Sequence, residues 1–274
     1  MNNETSKKNE ELVALLKSLQ LSAFVQHYLE FAKQAEKERL GHVDYLYQLC
    51  QVEASEKQRK STERLIKVSQ LPHGKSLDNY DFRRQPRLSR SFMNELAEGA
   101  CLDRCENILF FGLPGTGKSH LAAGLGREWC MRRRRVLFMR SAALVQKLLI
   151  AKRDLKLNEL IKELDRFEAI AIDDISYIPQ NREETDVLFT LLSERYERRS
   201  VVITSNLAFS GWNEIFKDPM TTLAAIDRLV HHAIVIELEG PSVRAEEAAG
   251  RKARCEKVSS SLPTESQPVT ESSD

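Results

Sequence analysis

The sequence has no long hydrophobic run and few cysteines, and both features exclude whole classes of protein. No window approaches the ~18 apolar residues that a membrane-spanning helix needs, and the opening segment MNNETSKKNE lacks the apolar core of a secretion signal. The five cysteines are odd in number, and Cys101 and Cys105 have no second Cys/His pair to complete a zinc set. We therefore expect a soluble, cytoplasmic protein with reduced thiols and no membrane association.

Charge is balanced overall but unevenly distributed. The formal net charge is +1, whereas residues 51–90 carry ten Lys/Arg against five Asp/Glu, and residues 127–153 carry nine against one. Concentrated positive charge indicates a polyanionic partner, and the run Arg132–Arg135 with the basic segment 71–90 could contact DNA phosphates. No base-reading motif such as a zinc finger accompanies them, which favours largely sequence-independent binding of duplex DNA. A solvated turn remains the alternative for the arginine run.

The pattern of apolar residues predicts several segments. Helical periodicity over residues 9–34 resumes after Gly41, which predicts a small helical N-terminal domain over 1–70 whose apolar stripe by itself indicates only a packing unit. Prolines, glycine and turn formers over 71–90 predict a basic linker, and residues 91–250 are predicted to form a second domain. The Ser/Thr/Pro/Glu-rich tail over 251–274 is predicted to be disordered.

Short apolar runs alternate with helical segments after residue 106. The runs are NILFF, RVLFMR, EAIAIDD, SVVITSN and AIVIEL. Such runs between helices are typical of strands buried on both faces, so we predict an α/β fold with a doubly wound parallel sheet.

The stretch FFGLPGTGKSH contains a phosphate-binding motif between a predicted strand and a predicted helix. Residues Gly112–Ser119 match G-x-x-x-x-G-K-[ST] without a mismatch. In such a loop the backbone N–H groups and the positive end of the next helix bind phosphates. Lys118 is predicted to contact the β- and γ-phosphates of ATP, and Ser119 to ligate Mg²⁺. The predicted nucleotide-binding residues are Gly112, Leu113, Pro114, Gly115, Thr116, Gly117, Lys118, Ser119 and His120.

Polar residues end two later strands. Asp173 and Asp174 follow the buried run AIAI, and we predict that Asp173 holds Mg²⁺ while Asp174 activates the attacking water. Thr204, Ser205 and Asn206 end the next strand, and the amide of Asn206 is the best candidate to orient that water, because it can donate and accept hydrogen bonds. A turn-forming role is the alternative for Asn206.

The segment AAIDRLVHHA contains three further candidate residues, Arg228, His231 and His232. Arg228 by itself indicates no more than a solvated or ion-paired arginine. His231 and His232 have no third ligand at metal spacing in the sequence, so we interpret them as structural.

The motifs together resemble those of IstB-type proteins, the AAA+ ATPase partners of insertion-sequence transposases, related to the helicase loader DnaC and the initiator DnaA. The resemblance runs from about Glu10 to Arg244. The stretches that carry it are LVALLKSLQLSAF, KSLDNYDF, GLPGTGKSHLAAGLG, AIDDISYIP, LLSERYERRSVVITSNLAFSGWNEIF and AAIDRLVHHAIVIELEGPSVR.

The resemblance implies that residues 91–250 form an AAA+ ATPase domain and that the helical domain over 1–70 binds a partner or DNA. It further implies that the ATPase assembles as a homo-oligomer on duplex DNA, bends it, and helps a transposase to select its target and transfer strands. It implies that Asn206 is the sensor-one residue and that Arg228 is an arginine finger acting on a neighbouring subunit's ATP. It also makes Arg244, in GPSVR, a candidate contact to nucleotide or partner. The second Walker B acid is Asp174 where Glu is usual, and Val243 stands where the family has an aromatic residue.

Two other functions stay open at this stage. A DnaC-like helicase loader shares the whole catalytic core, so core motifs do not separate it from a transposition helper. A P-loop small-molecule kinase would need an acceptor-binding lid, and this sequence has basic segments of DNA-binding character instead.

Overall fold

The computed structural model describes residues 2–175, 182–207, 211–212 and 227–246. The chain divides into two compact units. The smaller comprises the described residues up to Val68 together with Cys130–Arg133, and the larger comprises Ser69–Trp129 and the described residues from Arg134 onward. The segment 71–90, for which we predicted a linker, thus groups with the larger unit. The predicted tail over 251–274 lies outside the described residues.

The smaller unit is helical. Its helices are α1 (Asn2–Ser18), α2 (Ser22–Glu38) and α3 (His42–Val68). Glu53 of α3 is buried, and its Oε2 accepts hydrogen bonds from the backbone N–H groups of Ala23 (2.8 Å) and Phe24 (3.3 Å). This carboxylate therefore satisfies donors in the first turn of α2, where no side chain of α2's own N-cap residue does so.

The larger unit is built on a five-stranded parallel sheet with the order β2-β3-β4-β1-β5. The strands are β1 (Asn107–Gly112), β2 (Val136–Arg140), β3 (Ala169–Asp173), β4 (Ser200–Ser205) and β5 (Ala233–Leu238). The helices are α4 (Arg90–Glu98), α5 (Ala100–Asp103), α6 (Lys118–Met131), α7 (Ser141–Arg153), α8 (Leu157–Leu164) and α9 (Arg182–Arg195), with a 3₁₀ turn over Phe82–Arg84. The predicted α/β class with a preceding helical segment is confirmed.

The core explains why the strands are almost purely apolar. Apolar side chains of β1, β3 and β4 are buried and pack with apolar side chains of α7, α8 and α9 in one cluster. Parallel strands covered on both faces favour such unbroken apolar runs. Because all five strands are parallel, their carboxyl ends lie at one edge, and the polar residues that follow β1, β3 and β4 meet there.

Arg195, at the end of α9, is a buried cation that holds backbone together. Its Nη1 donates to Leu164 O (3.1 Å), and its Nη2 donates to Phe167 O (2.9 Å) and Ser200 O (3.0 Å). Burial lowers the pKa of Arg195 to about 10. These bonds link the end of α8, the entry to β3 and the start of β4.

We expect Arg195→Met to lower the free energy of unfolding by about 3 kcal/mol, because the substitution leaves buried carbonyl groups unsatisfied. The matched control is Arg198→Ala, whose exposed pair with Asp165 at 2.8 Å should contribute about 1 kcal/mol or less. Urea titration of both variants tests this. Equal losses in the two would show that the buried carbonyl contacts carry no special weight.

Candidate nucleotide-binding site

A cleft of about 890 Å³ opens at the carboxyl edge of the sheet. It is formed by the phosphate-binding loop Gly112–Ser119 (the P-loop), by the segment before α4 and by the segment after β5. Its lining residues are Lys75, Asn79, Tyr80, Asp81, Arg84, Gln85, Pro114–His120, Asp174, Thr204, Asn206, Glu239, Pro241, Val243, Arg244 and Glu246. Of the predicted nucleotide-binding residues, Pro114 to His120 line this cleft, and Gly112 and Leu113 lead into it from β1.

The glycines of the P-loop permit both its backbone conformation and close packing. Gly115 has φ of +84° and Gly117 has φ of +104°, in the region that favours glycine. A Cβ on Gly117 would lie 2.7 Å from Cε2 of Tyr80, and a Cβ on Gly115 would overlap Ser242. The loop is therefore packed between the segments that precede and follow the sheet.

Lys118 begins α6 and is buried. Its Nζ donates to Gly112 O (2.7 Å) and Leu113 O (2.8 Å), so the side chain folds back over its own loop. Burial lowers the pKa of Lys118, and the charges of Asp174 and Asp173 oppose that shift. The ammonium group is thus held in the cleft by two neutral acceptors.

The carboxyl ends of β3 and β4 form one hydrogen-bonded network. Thr204 Oγ1 donates to Asp173 Oδ1 (2.7 Å) and accepts from the Asp174 N–H (2.8 Å). Asn206 Nδ2 donates to Asp174 Oδ1 (3.0 Å). The structure therefore brings the acids that end β3 together with Asn206, and it shows that Thr204 connects Asp173 to Asp174.

The backbone at Asp174 gives a physical reason for Asp rather than Glu. Its φ is +62°, in the left-handed region, which Asp and Asn adopt more readily than other non-glycine residues. Its carbonyl accepts a hydrogen bond from Ser141 Oγ at 2.6 Å, which supports this conformation. Burial and then the charge of Asp173 raise the pKa of Asp174, while Lys118 opposes this shift.

The remaining predicted residues of the loop contact the segment before α4. His120 Nε2 lies 2.9 Å from Ser76 O, and Tyr80 Oη donates to Thr116 O at 3.3 Å. Thr116 Oγ1 also donates to Leu113 O at 2.9 Å. Ser119 lines the cleft beside them.

The sequence analysis missed the hydrogen bonds that join the segment after β5 to the segment before α4 and to the P-loop. Gln85 is buried, and its amide exchanges two hydrogen bonds with the backbone of Glu239, at 2.7 and 3.1 Å. After β5, the Val243 N–H donates to Gly115 O at 3.0 Å. The sequence offered only the likeness of KSLDNYDF and GPSVR to family segments as a signal.

Arg228 is not part of this cleft. Its Nη1 donates to Ser193 Oγ (2.6 Å), and its guanidinium carbon lies 5.5 Å from the ring centroid of Phe189. Both partners belong to α9. The structure therefore leaves Arg228 apart from Lys118, Asp174 and Asn206 within one chain.

The histidine pair does have a third potential ligand. Glu197 offers a carboxylate oxygen, and the ligand atoms of Glu197, His231 and His232 all lie within 4.8 Å of one another. The sequence shows no third ligand at metal spacing, whereas folding brings Glu197, after α9, beside the pair. All three residues are exposed, and Tyr196 Oη lies 2.9 Å from His231 Nδ1.

The four arginines of the basic run are not equivalent. Arg132, Arg133 and Arg135 are exposed, whereas Arg134 forms ion pairs with Asp103 (2.7 Å) and Glu168 (2.8 Å). Two carboxylates therefore already match the charge of Arg134. None of the described helices has the length and apolar character needed to cross a membrane.

A known protein family matches the part of this chain that forms the cleft. The family model for IstB-like ATP binding protein matches residues 14–250, which include the cleft and all the motifs above. The chain belongs to this family. It is 41% identical over 239 residues to an insertion sequence ATP-binding protein of Sinorhizobium fredii, covering 87% of this chain and 80% of the relative. It is 36% identical to the insertion sequence IS21 ATP-binding protein of Pseudomonas aeruginosa, covering 86% of this chain and 89% of the relative.

Solved structures share the fold of this IstB-like chain. DnaA from Aquifex aeolicus, solved with bound AMPPCP, has a TM-score of 0.52 at 20% identity, covering 68% of this chain and 56% of DnaA. DnaI has a TM-score of 0.52 at 19% identity, covering 65% of this chain and 98% of DnaI. At these identities the likeness shows the AAA+ P-loop fold.

Proposed function

We propose that this IstB-like chain is an ATPase that assembles on duplex DNA and assists a transposase in target selection and strand transfer. The observation that carries the proposal is the meeting of Lys118, Asp174 and Asn206 around one cleft of the P-loop fold. The names of the relatives at 36–41% identity, which are insertion-sequence ATP-binding proteins, support both ATP as substrate and a transposase as partner.

The residues of the cleft have distinct roles in this proposal. Lys118 exchanges the carbonyls of Gly112 and Leu113 for the phosphates of ATP, which are stronger, charged acceptors. Asp174 accepts a proton from the attacking water, and Asn206 fixes the orientation of that carboxylate through its 3.0 Å hydrogen bond.

The donor set fits Mg²⁺, which prefers oxygen ligands. Ser119 supplies a hydroxyl group and Asp173 a carboxylate. Thr204 bonds Oδ1 of Asp173 and so orients that carboxylate, whose Oδ2 has no hydrogen bond from the described residues. When bound with ATP, Mg²⁺ would neutralise phosphate charge.

A helicase loader of the DnaC type is the alternative that the fold does not exclude. The DnaC helicase loader matches this chain with a TM-score of 0.50 at 16% identity, which shows the shared fold alone. The relatives' names favour the transposition role. Purified chain added to a strand-transfer reaction with its cognate transposase should stimulate transfer only with ATP. Loading of a replicative helicase instead would support the alternative.

DNA binding is expected to be ATP-dependent, weakly sequence-selective and sensitive to salt. For roughly six neutralised phosphates, the slope of log K against log salt should be about −5. Replacing the exposed Arg132 and Arg133 by alanine should make the slope less steep, at about −3 instead of about −5, and should weaken binding to all duplexes alike.

The control retains the charge at the same two positions. Arg132→Lys with Arg133→Lys should keep the wild-type slope, because lysine also neutralises a phosphate. Binding is measured by fluorescence anisotropy across a salt series. A slope that is unchanged in the alanine variant would assign the run to a solvated turn. ATPase activity without any response to duplex DNA would instead favour a small-molecule kinase.

A further inference from the structure

A second lysine lines the nucleotide cleft outside the P-loop. Lys75 precedes α4 by fifteen positions and lies in the same cleft as Lys118, Asp174 and Asn206. It is partly buried, and no carboxylate of the described residues lies within the 4.0 Å of an ion pair with its ammonium group. A partly buried cation without an ion-pair partner is costly unless an anion joins it.

The segment that follows Lys75 is fixed against the P-loop and α6. Ser76 O accepts a hydrogen bond from His120 Nε2 at 2.9 Å. Leu77 is buried and approaches so closely that a Cβ on Gly124 would lie 2.8 Å from its Cδ2. Three residues further on, Tyr80 packs on Gly117. Lys75 is therefore presented to the cleft by a segment held at several points.

The charges around Lys75 indicate which anion fits. Asp173 attracts its ammonium group, whereas Arg244 and Arg140 repel it, and burial is the largest influence, so that the pKa of Lys75 is lowered. Lys118 and the same two arginines also act on Asp174, so four cations act on the two carboxylates at the end of β3, whereas the other acids that line the cleft, Asp81, Glu239 and Glu246, are ion-paired with arginines. A polyanion would restore the balance, and the triphosphate of ATP is the polyanion that a P-loop accepts.

We propose that Lys75 binds the terminal phosphate of ATP, so that the chain distinguishes ATP from ADP by a residue outside the P-loop. This inference rests on the proposed function, in which the cleft binds ATP. The charge of Asp173, the proposed Mg²⁺ ligand at the end of β3, acts on Lys75, and the terminal phosphate would lie at that strand end. Lys118, from within the loop, is expected to contact the β- and γ-phosphates, so that Lys75 would be a second cation at the terminal phosphate.

The test compares ATP and ADP affinities of the full chain with Mg²⁺ present. Lys75→Ala should weaken ATP binding about tenfold and ADP binding less than twofold, because only ATP loses a charge-assisted hydrogen bond. Lys75→Gln serves as a second neutral variant, and Lys75→Arg should restore most of the ATP preference. The control Lys152→Ala removes an exposed lysine of α7 and should bind both nucleotides as wild type does.

Isothermal titration with each nucleotide gives the ratio of the two affinities. An unchanged ratio in both neutral variants would overturn the assignment, and so would an equal loss for ATP and ADP, since a purely structural role moves both. Failure of Lys75→Arg to restore the ratio would also count against it. Wild-type chain that binds neither nucleotide would refute the proposed function itself, which separates that failure from the failure of Lys75 alone.

Discussion

Lys118→Ala is expected to abolish ATP binding. The substitution removes a buried ammonium group that contacts two carbonyls of the loop at 2.7 and 2.8 Å and is available to the phosphates. The fold should persist, because the two carbonyls that lose their donor lie at the cleft rather than in the core. Titration with a fluorescent ATP analogue measures the loss, and circular dichroism serves as the control for folding. ATP binding of wild-type strength in this variant would remove the main support for the site.

Asp174→Asn is expected to separate binding from hydrolysis. Asn adopts the left-handed conformation at this position as readily as Asp, and its side-chain carbonyl still accepts the hydrogen bond from Asn206. The variant should therefore bind ATP nearly as wild type does, while hydrolysis falls by about 10²–10⁴-fold through loss of the general base. Phosphate release on DNA measures the rate. Loss of binding equal to that of Lys118→Ala would contradict the separate roles.

A third large effect is expected at Arg228, which we propose acts on the ATP of a neighbouring subunit. The guanidinium group of Arg228 packs against Ser193 and Phe189 of α9 in its own chain, away from the nucleotide cleft of that chain. A role for Arg228 in hydrolysis therefore requires a second copy of the chain. Arg228→Ala should bind ATP and hydrolyse it poorly, with a loss of about 10³-fold or more, as for other arginine fingers.

Mixing two inactive variants tests this directly. Arg228→Ala supplies an intact P-loop, and Lys118→Ala supplies an intact Arg228, so mixed assemblies contain some complete sites. Steady-state ATPase activity on DNA should exceed the sum of the two variants at intermediate ratios. An additive, near-zero response at every ratio would place Arg228 within its own chain.

A matched control distinguishes an Arg228 that acts on a neighbouring subunit from an Arg228 that only stabilises the fold of its own chain. Ser193→Ala removes the 2.6 Å hydrogen bond of Arg228 within its chain but leaves the arginine in place. If Arg228 acts on a neighbour, this variant should retain ATPase activity. If Arg228 only fixes the position of its own segment against α9, Ser193→Ala should reproduce part of the defect and lower thermal stability in the same way as Arg228→Ala.

Much of the fold and of the loop could be predicted because the information is local. The apolar runs that became β1 to β5 are contiguous, and burial of β1, β3 and β4 on both faces of the sheet demands such runs, whereas the edge strand β5 is only partly buried. The P-loop is likewise a single stretch, in which the glycines and Lys118 have fixed spacing. The proximity of Asp174 and Asn206 was expected from two strand ends, because parallel strands end at the same edge.

Other features depended on the tertiary structure. Gln85 and Glu239 are 154 positions apart, and Arg134 meets Glu168 across 34 positions, so no periodicity or motif connects them. The same holds for Glu197 beside the histidine pair and for Lys75 at the cleft. Each of these side chains is common on protein surfaces, and only its neighbours give it a role.

The sequence by itself therefore determined the sheet, the phosphate-binding loop and the acids that follow β3, since chain-local patterns specify buried strands and a nested backbone. The tertiary structure decided which cations remain exposed and which are already paired. It also decided that the segment around Lys75 joins the cleft. The physical reason is that charge pairing and close packing are set by distances in space, and distant parts of the chain acquire those distances only on folding.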